Sequence, residues 1–412
     1  MKTWCAVSVS MLAAAMPAAA QDITVPEGFR VSVAYEGEGT ARHIAFNANG
    51  DLYVSSRMAR GGGEDAVPVG ILALRDEDGD GTFDRAEHFG SVSGTGLRFH
   101  DGYLYASSAT TLYRYSFEGD ELVPEGEPEI IVSGMPTGGY SARPIAFDDK
   151  GHVIVGVGSG GNTCVDRPGP EGTPLNPCPQ LADRAGFWRY DAAATGQQHP
   201  ADGDHITIGL RDAQALAWNP ADGFAYTVVQ GRNGLNRAGD GQYSEADNQL
   251  GIAEEMHRLS LGADMGWPYT HFDGRTMQRF AAPEYGGMPD APVTGGSYAM
   301  PVAVLPPHSS PLDIVFDTKG QFPGEFRGGA FVALQGGFNG PTPQNGYGVW
   351  FVPQTADGAF GEPIVFADGF AGADRSPAGS AHRPSGLAIS PDGALHVVDS
   401  KTGRIWRIEF GD

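Results

Sequence analysis

The chain has 412 residues, including 61 glycines and 30 prolines, and its formal net charge at pH 7 is −23. This acidic balance argues against nucleic-acid partners, because phosphates repel a negatively charged surface. Beyond the N-terminus there is no run of 18 apolar residues, so no membrane-spanning helix is expected. A glycine- and proline-rich chain of this length is typical of a single all-β domain.

Residues 1–20 have the features of a signal peptide. Lys2 supplies the positive charge, an apolar run reaches Met16, and three alanines precede Gln21 at a small-residue cleavage site. We therefore expect a mature single domain of residues 21–412 in the periplasm or outside the cell. Cys164 and Cys178 would remain after cleavage, and in an oxidising compartment they are expected to form a disulfide, with two free thiols as the alternative.

Three short apolar phrases recur six times along the chain in the same order. After each first phrase come a glycine turn and a second run, such as DGFAYTVV from Asp222, and then a third run, such as FWRY at 187–190. Copies of the first phrase are IAF at 44–46, GLRF at 96–99, IAF at 145–147, LAW at 216–218, DIVF at 313–316 and GLAI at 386–389. Six four-strand units predict an all-β fold, a six-bladed β-propeller with four antiparallel strands in each blade.

The stretch 29–37 is expected to supply the outer strand of the last blade, so that strands from both ends of the chain close the ring. Because strand direction alternates, the loops fall on two faces. Loops that enter the inner strands or leave the second strands share the top face. The glycine turns and the loops after the third strands share the bottom face.

Residues 76–87 match the twelve-residue calcium loop, and they follow a third strand, which places them on the bottom face. Gly81 permits the sharp bend at position six. Oxygen atoms of six residues are expected to surround one structural Ca²⁺, namely Asp76, Asp78, Asp80, Thr82 (through its carbonyl), Asp84 and Glu87. A solvated acidic turn is the alternative.

Basic and polar residues recur just before the inner strands, where they would face the mouth of the axis on the top face. These residues are Arg42, His43, Thr95, Arg143, Arg211, Asp212, His308 and Arg383. Guanidinium groups bind carboxylates and phosphates in a bidentate manner. We therefore expect Arg143, Arg211 and Arg383 to converge with Gln230 on an anionic guest, the alternative being that each arginine pairs with a local Asp or Glu.

Several phrases of the chain resemble the soluble glucose/sorbosone-type dehydrogenases. They include GLRDAQALAWNPADGFAYTVVQGR from Gly209, GADMGWPY at 262–269 and RPSGLAISPDG from Arg383. The resemblance covers essentially the whole mature chain, and its most specific part is the combination of the Arg211 phrase with GWP. It implies a six-bladed propeller that binds pyrroloquinoline quinone (PQQ) and Ca²⁺ on its top face and oxidises a sugar, passing electrons to an acceptor that the sequence does not identify.

The resemblance also implies roles for single residues. Arg211 and Arg383 would bind the carboxylates of PQQ, and Gln230 would contact it. The carbonyl groups of Gly231 and Arg232 would hold a second, catalytic Ca²⁺ that polarises the quinone carbonyl accepting the hydride.

At three places the chain departs from the family pattern. Tyr140 stands where the family's catalytic base is a histidine, and tyrosine, with a pKa of about 10, is a poor base at neutral pH unless cations lower that pKa. Asp212 stands where asparagine is usual, and Gln335-Gly336-Gly337 replaces His-Gly-Ser. Tyr140 and His308 are therefore the two candidates for the base.

Three functions agree with these observations. The first is a periplasmic sugar or aldose dehydrogenase that uses PQQ and Ca²⁺. The second is a calcium-dependent propeller hydrolase of the lactonase type, and the third is a non-catalytic propeller that binds a ligand.

Overall fold

Each set of three apolar phrases folds as three consecutive antiparallel strands of one sheet, and a fourth strand completes the sheet. The computed structural model describes residues 23–37, 39–56, 70–167, 172–238, 241–317, 319–338, 340 and 343–411. Neighbouring inner strands pack against one another in a closed ring, which confirms the six-bladed β-propeller. The predicted signal peptide, residues 1–20, lies outside the described residues.

Every blade has an inner, a second, a third and an outer strand, counted outwards from the central axis. From blade one to blade six, the inner strands are Ala41–Phe46, Leu97–His100, Ile145–Phe147, Asp212–Asn219, Pro311–Phe316 and Pro384–Ile389. The second strands are Leu52–Ser56, Tyr103–Ser107, His152–Val157, Phe224–Gln230, Ala330–Leu334 and Leu395–Asp399. The third strands are Ile71–Arg75, Leu112–Ser116, Gly186–Asp191, Glu254–Arg258, Gly348–Val352 and Ile405–Phe410. The outer strands are Arg85–Phe89, Glu129–Ser133, Asp204–Ile208, Ala303–Leu305, Ile364–Ala367 and Phe29–Tyr35.

The ring closes between the two ends of the chain, as the sequence predicts. Phe29–Tyr35 pairs with Ile405–Phe410 from Phe29 opposite Phe410 to Tyr35 opposite Ile405. The Phe29 ring meets the rings of Phe322, Phe366 and Phe410 edge-on, with centroid distances of 5.0 to 5.1 Å. This aromatic packing fixes the outer strand of blade six against blade five.

The second strands lie deepest in the ring. All five residues of Leu52–Ser56, Ala330–Leu334 and Leu395–Asp399 are buried. A strand in this position is covered by neighbouring blades on both faces, so both faces of the strand are removed from solvent. This explains why the second phrases read as continuous apolar runs rather than as an alternation.

Four inner strands have an irregular register at their top ends. The irregularities lie between Ala41 and Ile44, Ala213 and Ala215, Pro311 and Asp313, and Pro384 and Gly386. A bulge bends a strand and redirects its side chains. In this way the chain aims the residues at the start of these strands at the axis mouth.

Short elements occur in the loops of both faces. They are the hairpin Thr270–Asp273 with Gln278–Ala281, the two-residue strands Gln197–Gln198 and Ala263–Asp264, the 3-10 helices Pro179–Ala182, Leu235–Arg237, Pro283–Tyr285 and Gly324–Phe326, and the π-helix Asp247–Gly251. Among the described residues, no helix has the length and apolar character needed to cross a membrane.

An ion pair crosses the central axis below the top face. Arg98 of blade two donates to Asp313 of blade five at 2.6 Å. Asp313 also accepts the backbone N–H of Leu387 in blade six at 3.0 Å, and His43 of blade one lies 3.8 Å from it. Since Asp313 is fully buried, this group of charges joins four blades and occupies the axis beneath the predicted site.

Candidate functional site

The predicted calcium loop connects the third and outer strands of blade one. Carboxylate oxygens of Asp76, Asp78 and Asp84 lie within 4.8 Å of one another. The loop borders a cavity of about 640 Å³ together with the glycine turns at Gly50 and Pro391, which places it on the bottom face. Three of the predicted ligands are therefore brought together on the expected face.

The carboxylates of Asp76, Asp78 and Asp84 accept backbone N–H groups of the same loop, and two further predicted ligands, Asp80 and Glu87, have partners outside this group of three. The Asp80 carboxylate accepts the backbone N–H of Thr82 at 2.8 Å. The Glu87 carboxylate accepts from Nε of Arg85 at 2.7 Å. A strand begins at Arg85, so position twelve of the loop continues along the sheet instead of turning back towards the three aspartates, as it does in a calcium loop that leads into a helix.

Arg211 and Tyr140 form one unit at the top face. Nη2 of Arg211 donates to the Tyr140 hydroxyl, and the guanidinium lies 4.4 Å from the centre of the Tyr140 ring. Nε of Arg211 donates to Oδ1 of Asn162 at 3.0 Å, and Nη1 donates to the Gly231 carbonyl at 2.8 Å. Burial raises the pKa of Tyr140, although Arg211 opposes this effect, so the hydroxyl keeps its proton at neutral pH.

Arg383 occupies an equivalent place at the start of the inner strand of blade six. Its guanidinium donates to the carbonyls of Gln335, at 3.2 Å, and of Gly336. It also lies over the ring of Phe338, 4.7 Å from the ring centre. The Phe338 side chain is 68% exposed, so an aromatic face and a guanidinium lie side by side at the mouth of the site.

Among the described residues, Arg211 and Arg383 are buried without a carboxylate at ion-pair distance, as is Arg143, whereas the other two buried arginines, Arg232 and Arg279, pair with Glu284 and Glu255. Arg211 and Arg383 are at most 6% exposed, yet among the described residues neither forms an ion pair with a carboxylate. Among the more exposed arginines such ion pairs are common, as for Arg75, Arg98, Arg114, Arg275 and Arg407. Carboxylates act on Arg211 and Arg383 only at longer range, Glu254 on the former and Asp399 on the latter, and burying a charge without a direct partner is costly. The alternative in which each top-face arginine pairs with a local Asp or Glu therefore does not apply to these two.

Arg143 and Asp212 are both buried. The guanidinium of Arg143 is fully buried and donates to the carbonyls of Pro136, at 2.6 Å, and Tyr140, at 3.1 Å. Burial lowers its pKa to about 10. Arg143 thus holds the turn that carries Tyr140, while Asp212, which is 5% exposed, pairs with Gln230 across the strands of blade four.

Gln230, Gly231 and Arg232 follow the second strand of blade four. Nε2 of Gln230 donates to the Pro311 carbonyl of blade five at 3.4 Å. The Arg232 side chain forms a bidentate pair with Glu284, with both distances 2.8 Å. The Gly231 carbonyl already accepts from Arg211, so a guanidinium stands against one of the two carbonyls to which the resemblance assigns a second Ca²⁺.

Glu254 is the functional group that the sequence motifs do not reveal. It begins the third strand of blade four and is 3% exposed. Its two oxygens accept the backbone N–H groups of Gly231, at 2.8 Å, and Ser310, at 3.2 Å. Burial raises the pKa of Glu254 to about 7, although these N–H groups and Arg211 oppose the rise. A carboxyl with this pKa exchanges its proton near neutral pH.

Asn162 is a second residue that the motifs do not reveal. Its side-chain Oδ1 accepts from Arg211 and also from the backbone N–H of Asn233 at 2.9 Å, while its backbone carbonyl accepts from Nε1 of Trp267 at 3.1 Å. Trp267 belongs to the GWP phrase and packs on the Cys164–Cys178 disulfide. The predicted disulfide is therefore confirmed, and it supports the loop that positions Asn162 beside Arg211.

His308 lies in the loop that enters blade five, with a left-handed backbone (φ 53°). Its Nε2 is 2.6 Å from the Asn248 carbonyl. A carbonyl can only accept, so Nε2 carries the proton and Nδ1 is the unprotonated nitrogen. Burial lowers the pKa of His308, which keeps the ring neutral at pH 7.

Hydrogen bonds connect these groups across blades three to six into one surface, which we call the arginine arc. It comprises Tyr140, Arg211, Gly231, Glu254, Ser310, Gln335 and Arg383. The arc brings together Tyr140, Arg211 and Arg383 from the predicted set and leaves Arg143 behind it. Each of its two buried guanidinium groups lies beside an aromatic ring, Arg211 beside Tyr140 and Arg383 beside Phe338.

Comparison with solved structures finds the same fold in several oxidoreductases. The holo form of the PQQ domain of pyranose dehydrogenase from Coprinopsis cinerea has 19% identity and a TM-score of 0.75, over 95% of this chain and 98% of that chain. The calcium structure of a family AA12 carbohydrate-active enzyme from Trichoderma reesei has 19% identity and a TM-score of 0.73, over 97% and 99%. PQQ-bound aldose sugar dehydrogenase from Streptomyces coelicolor has 19% identity and a TM-score of 0.58, over 94% and 99%.

These neighbours confirm the fold-level resemblance to PQQ-dependent sugar dehydrogenases that the sequence motifs indicate. Comparison with curated protein sequences gives no match. Residues 23–410, which include the whole arginine arc and the calcium loop, match the family described as TrAA12-like. The chain therefore belongs to the TrAA12-like family.

Proposed function

We propose that the protein is a sugar or aldose oxidoreductase that binds PQQ on the arginine arc. The observation that carries this proposal is the pair of buried guanidinium groups, Arg211 and Arg383, which have no carboxylate partner among the described residues. PQQ is a planar tricarboxylate, so it would supply both the missing negative charge and an aromatic surface. The PQQ-binding fold neighbours support the same choice.

The residues of the arc fit such a guest. Arg211 and Arg383 would bind its carboxylates, while the rings of Tyr140 and Phe338, each already beside a guanidinium, would contact its planar faces. When bound, PQQ supplies the acceptor for the hydride removed from the sugar. Glu254 and Ser310 hold the backbone of the arc in place, so that little rearrangement is needed on binding.

Of the two candidate bases, His308 is the better suited. It is neutral at pH 7 and its Nδ1 is unprotonated, so it can accept the proton of a sugar hydroxyl. Tyr140 keeps its own proton because burial raises its pKa. We therefore assign proton removal to His308 and the positioning of Arg211 to Tyr140.

The arrangement of the arc does not fit a second Ca²⁺ at Gly231 and Arg232. Such an ion would bind the Gly231 carbonyl next to the guanidinium that already donates to it at 2.8 Å, and two like charges at this separation repel each other. We assign Ca²⁺ to the loop on the bottom face alone, where Asp76, Asp78 and Asp84 offer hard oxygen ligands. There it has a structural role.

A periplasmic or secreted location is part of the proposal. The Cys164–Cys178 disulfide supports it, because disulfides persist in oxidising compartments. The N-terminal residues 1–20, with their signal-peptide features, agree with it.

Titration of the quinone-free protein with PQQ tests the proposal. Each bidentate arginine–carboxylate contact contributes about 2 kcal/mol, so Arg211→Ala should weaken PQQ binding by more than tenfold. Arg30→Ala is the matched control, because Arg30 pairs with Glu409 on the outer strand of blade six, far along the sheet from the arc. If the wild-type protein does not bind PQQ, the arc serves another anion and the dehydrogenase assignment is wrong.

A further inference from the structure

A cleft of about 1080 Å³ opens on the top face beside the arginine arc. Neither Arg211 nor Arg383 lines it, but Asn162 does, and Asn162 also accepts from Arg211. The cleft is therefore adjacent to the proposed PQQ site and separate from it. Sites for drug-sized ligands are about 300–1,000 Å³, so this cleft has room for a ligand of several rings.

Internal bonds hold both walls of the cleft in place. One wall contains Asn162, two residues before Cys164, and Val165, which lies in the loop closed by the Cys164–Cys178 disulfide and forms a β-bridge with Pro174. The other wall is formed by residues of 233–238 and 245–249, in which Oδ1 of Asn248 accepts the backbone N–H of Leu235 at 2.9 Å. The cleft is thus preformed, as binding sites for small molecules usually are.

The charges inside the cleft are largely compensated. Arg232 and Glu284 neutralise each other through two bonds of 2.8 Å. The Glu245 carboxylate accepts from the side-chain amides of Asn236 and Gln249. The cleft therefore does not require a strongly charged guest, which distinguishes it from the arginine arc.

The lining is rich in groups that both donate and accept hydrogen bonds. Asn162, Asn233, Asn236, Asn248 and Gln249 all contribute amides to it. The amide of Asn162 bonds within the protein through both its oxygen and its NH₂ group, and the NH₂ groups of Asn236 and Gln249 donate to Glu245. The Gln249 oxygen, an acceptor, and the Asn248 NH₂ group, a donor, form no bond among the described residues. Adjacent hydroxyl groups of a sugar also donate and accept. A hydroxyl-rich, uncharged ligand matches this lining better than an apolar one or a polyanion.

We infer that the cleft binds a neutral oligosaccharide, whose terminal unit extends past Asn162 towards the arginine arc. This inference rests on the proposed function for the reaction at that terminal unit, but the binding of the oligosaccharide can be measured without PQQ. Asn236 and Gln249 hold the Glu245 carboxylate, which lines the cleft and accepts from the inner sugar units, and Arg237, which is exposed at the edge of the cleft, adds a donor to these units.

Calorimetric titration of the quinone-free protein tests the inference. The ligands are glucose and cellotetraose, xylose and xylotetraose, mannose and mannotetraose, and galactose and galactotetraose. In at least one pair the tetrasaccharide should bind at least tenfold more tightly than its monosaccharide. The double variant Asn236→Ala/Gln249→Ala should reduce this length dependence at least fivefold, and Asn49→Ala, which removes an amide on the bottom face, should not change it.

The double variant loses bonds to Glu245, so its melting temperature is measured as well. If it does not fold, Arg237→Ala replaces it, because an exposed side chain can be shortened without disturbing the core. Equal affinity for monosaccharide and tetrasaccharide in all four pairs, or a length dependence that survives these substitutions, would overturn the inference. Failure of PQQ to bind while the length dependence remains would refute the proposed oxidoreductase and leave the saccharide cleft standing.

Discussion

The buried carboxyl of Glu254 makes the stability of the protein depend on pH in a predictable direction. Its pKa rises from an ordinary value of 4.5 to about 7 in the folded protein. The folded state therefore holds this proton more tightly than the unfolded state does. Between pH 4.5 and 7 the unfolded chain releases the proton while the folded protein retains it, so the contribution of Glu254 to stability falls as the pH rises and is constant above 7.

The size of the effect follows from the same two values. Each pH unit between them corresponds to about 1.4 kcal/mol, so the free energy of unfolding should lose about 3 kcal/mol across this range through Glu254 alone. Glu254→Gln cannot titrate, but its carbonyl oxygen can still accept the N–H of Gly231. The difference in stability between wild type and Glu254→Gln should therefore fall by about 3 kcal/mol from pH 4.5 to 8.

Urea unfolding at several pH values measures this difference, and Glu255→Gln is the matched control. Burial alone would raise the pKa of Glu255, but Arg279 and His257 lower it to about 2. The contribution of Glu255 is complete above its ordinary pKa of 4.5 and is lost as the pH falls from there through about 2, so between pH 4.5 and 8 the control difference should change by no more than about 0.5 kcal/mol. A Glu254→Gln difference that is equally constant would refute the reasoning, because Glu254 would then ionise as freely in the folded protein as in the unfolded chain.

Two further predictions concern the calcium loop and the base. Calcium at a hundredfold excess over its dissociation constant should raise the free energy of unfolding by about 2.7 kcal/mol. Thermal melting with Ca²⁺ and with chelator should show that Asp78→Ala loses this stabilisation and that Glu87→Gln keeps it. If Asp78→Ala keeps it as well, the ion does not bind in this loop. His308→Asn retains an N–H donor, and asparagine tolerates the left-handed backbone at this position. In this variant, turnover of an aldose with PQQ should fall at least about a hundredfold, while the affinity for PQQ should stay constant. If Tyr140→Phe causes that loss instead, the base is Tyr140.

The recurrence of apolar phrases predicts the fold because each blade repeats the same local solution. Glycine turns, strand order and ring closure by the stretch 29–37 are all predicted from the repeated units, and so is the position of Arg211 and Arg383 directly before an inner strand. The repeat does not predict which groups these side chains bond to. Arg143 stands at an equivalent position, yet its guanidinium turns inward to backbone carbonyls, since the turn that carries Tyr140 folds over it.

Residues in the long loops have no period from which to predict them. Asn162 lies in the loop between Val157 and Gly186, and only the packing of the disulfide and Trp267 brings it to Arg211. Glu254 and Glu255 are neighbours in one strand, and the alternation of strand side chains places them on opposite faces without saying which face holds an arginine. For the same reason position twelve of the calcium loop could not be judged without knowing that a strand begins at Arg85.

The pairing of Phe29–Tyr35 with Ile405–Phe410 has a consequence for how the protein folds. Arg30 and Glu409, which bond across this pair, are 379 residues apart in the chain. The first strand to be synthesised therefore cannot pair until the last strand has been made. Until then two sheet edges present unpaired N–H and C=O groups to any other chain, and contacts between such distant residues form slowly. Refolding should therefore compete with association between chains, and its yield should fall as the protein concentration rises.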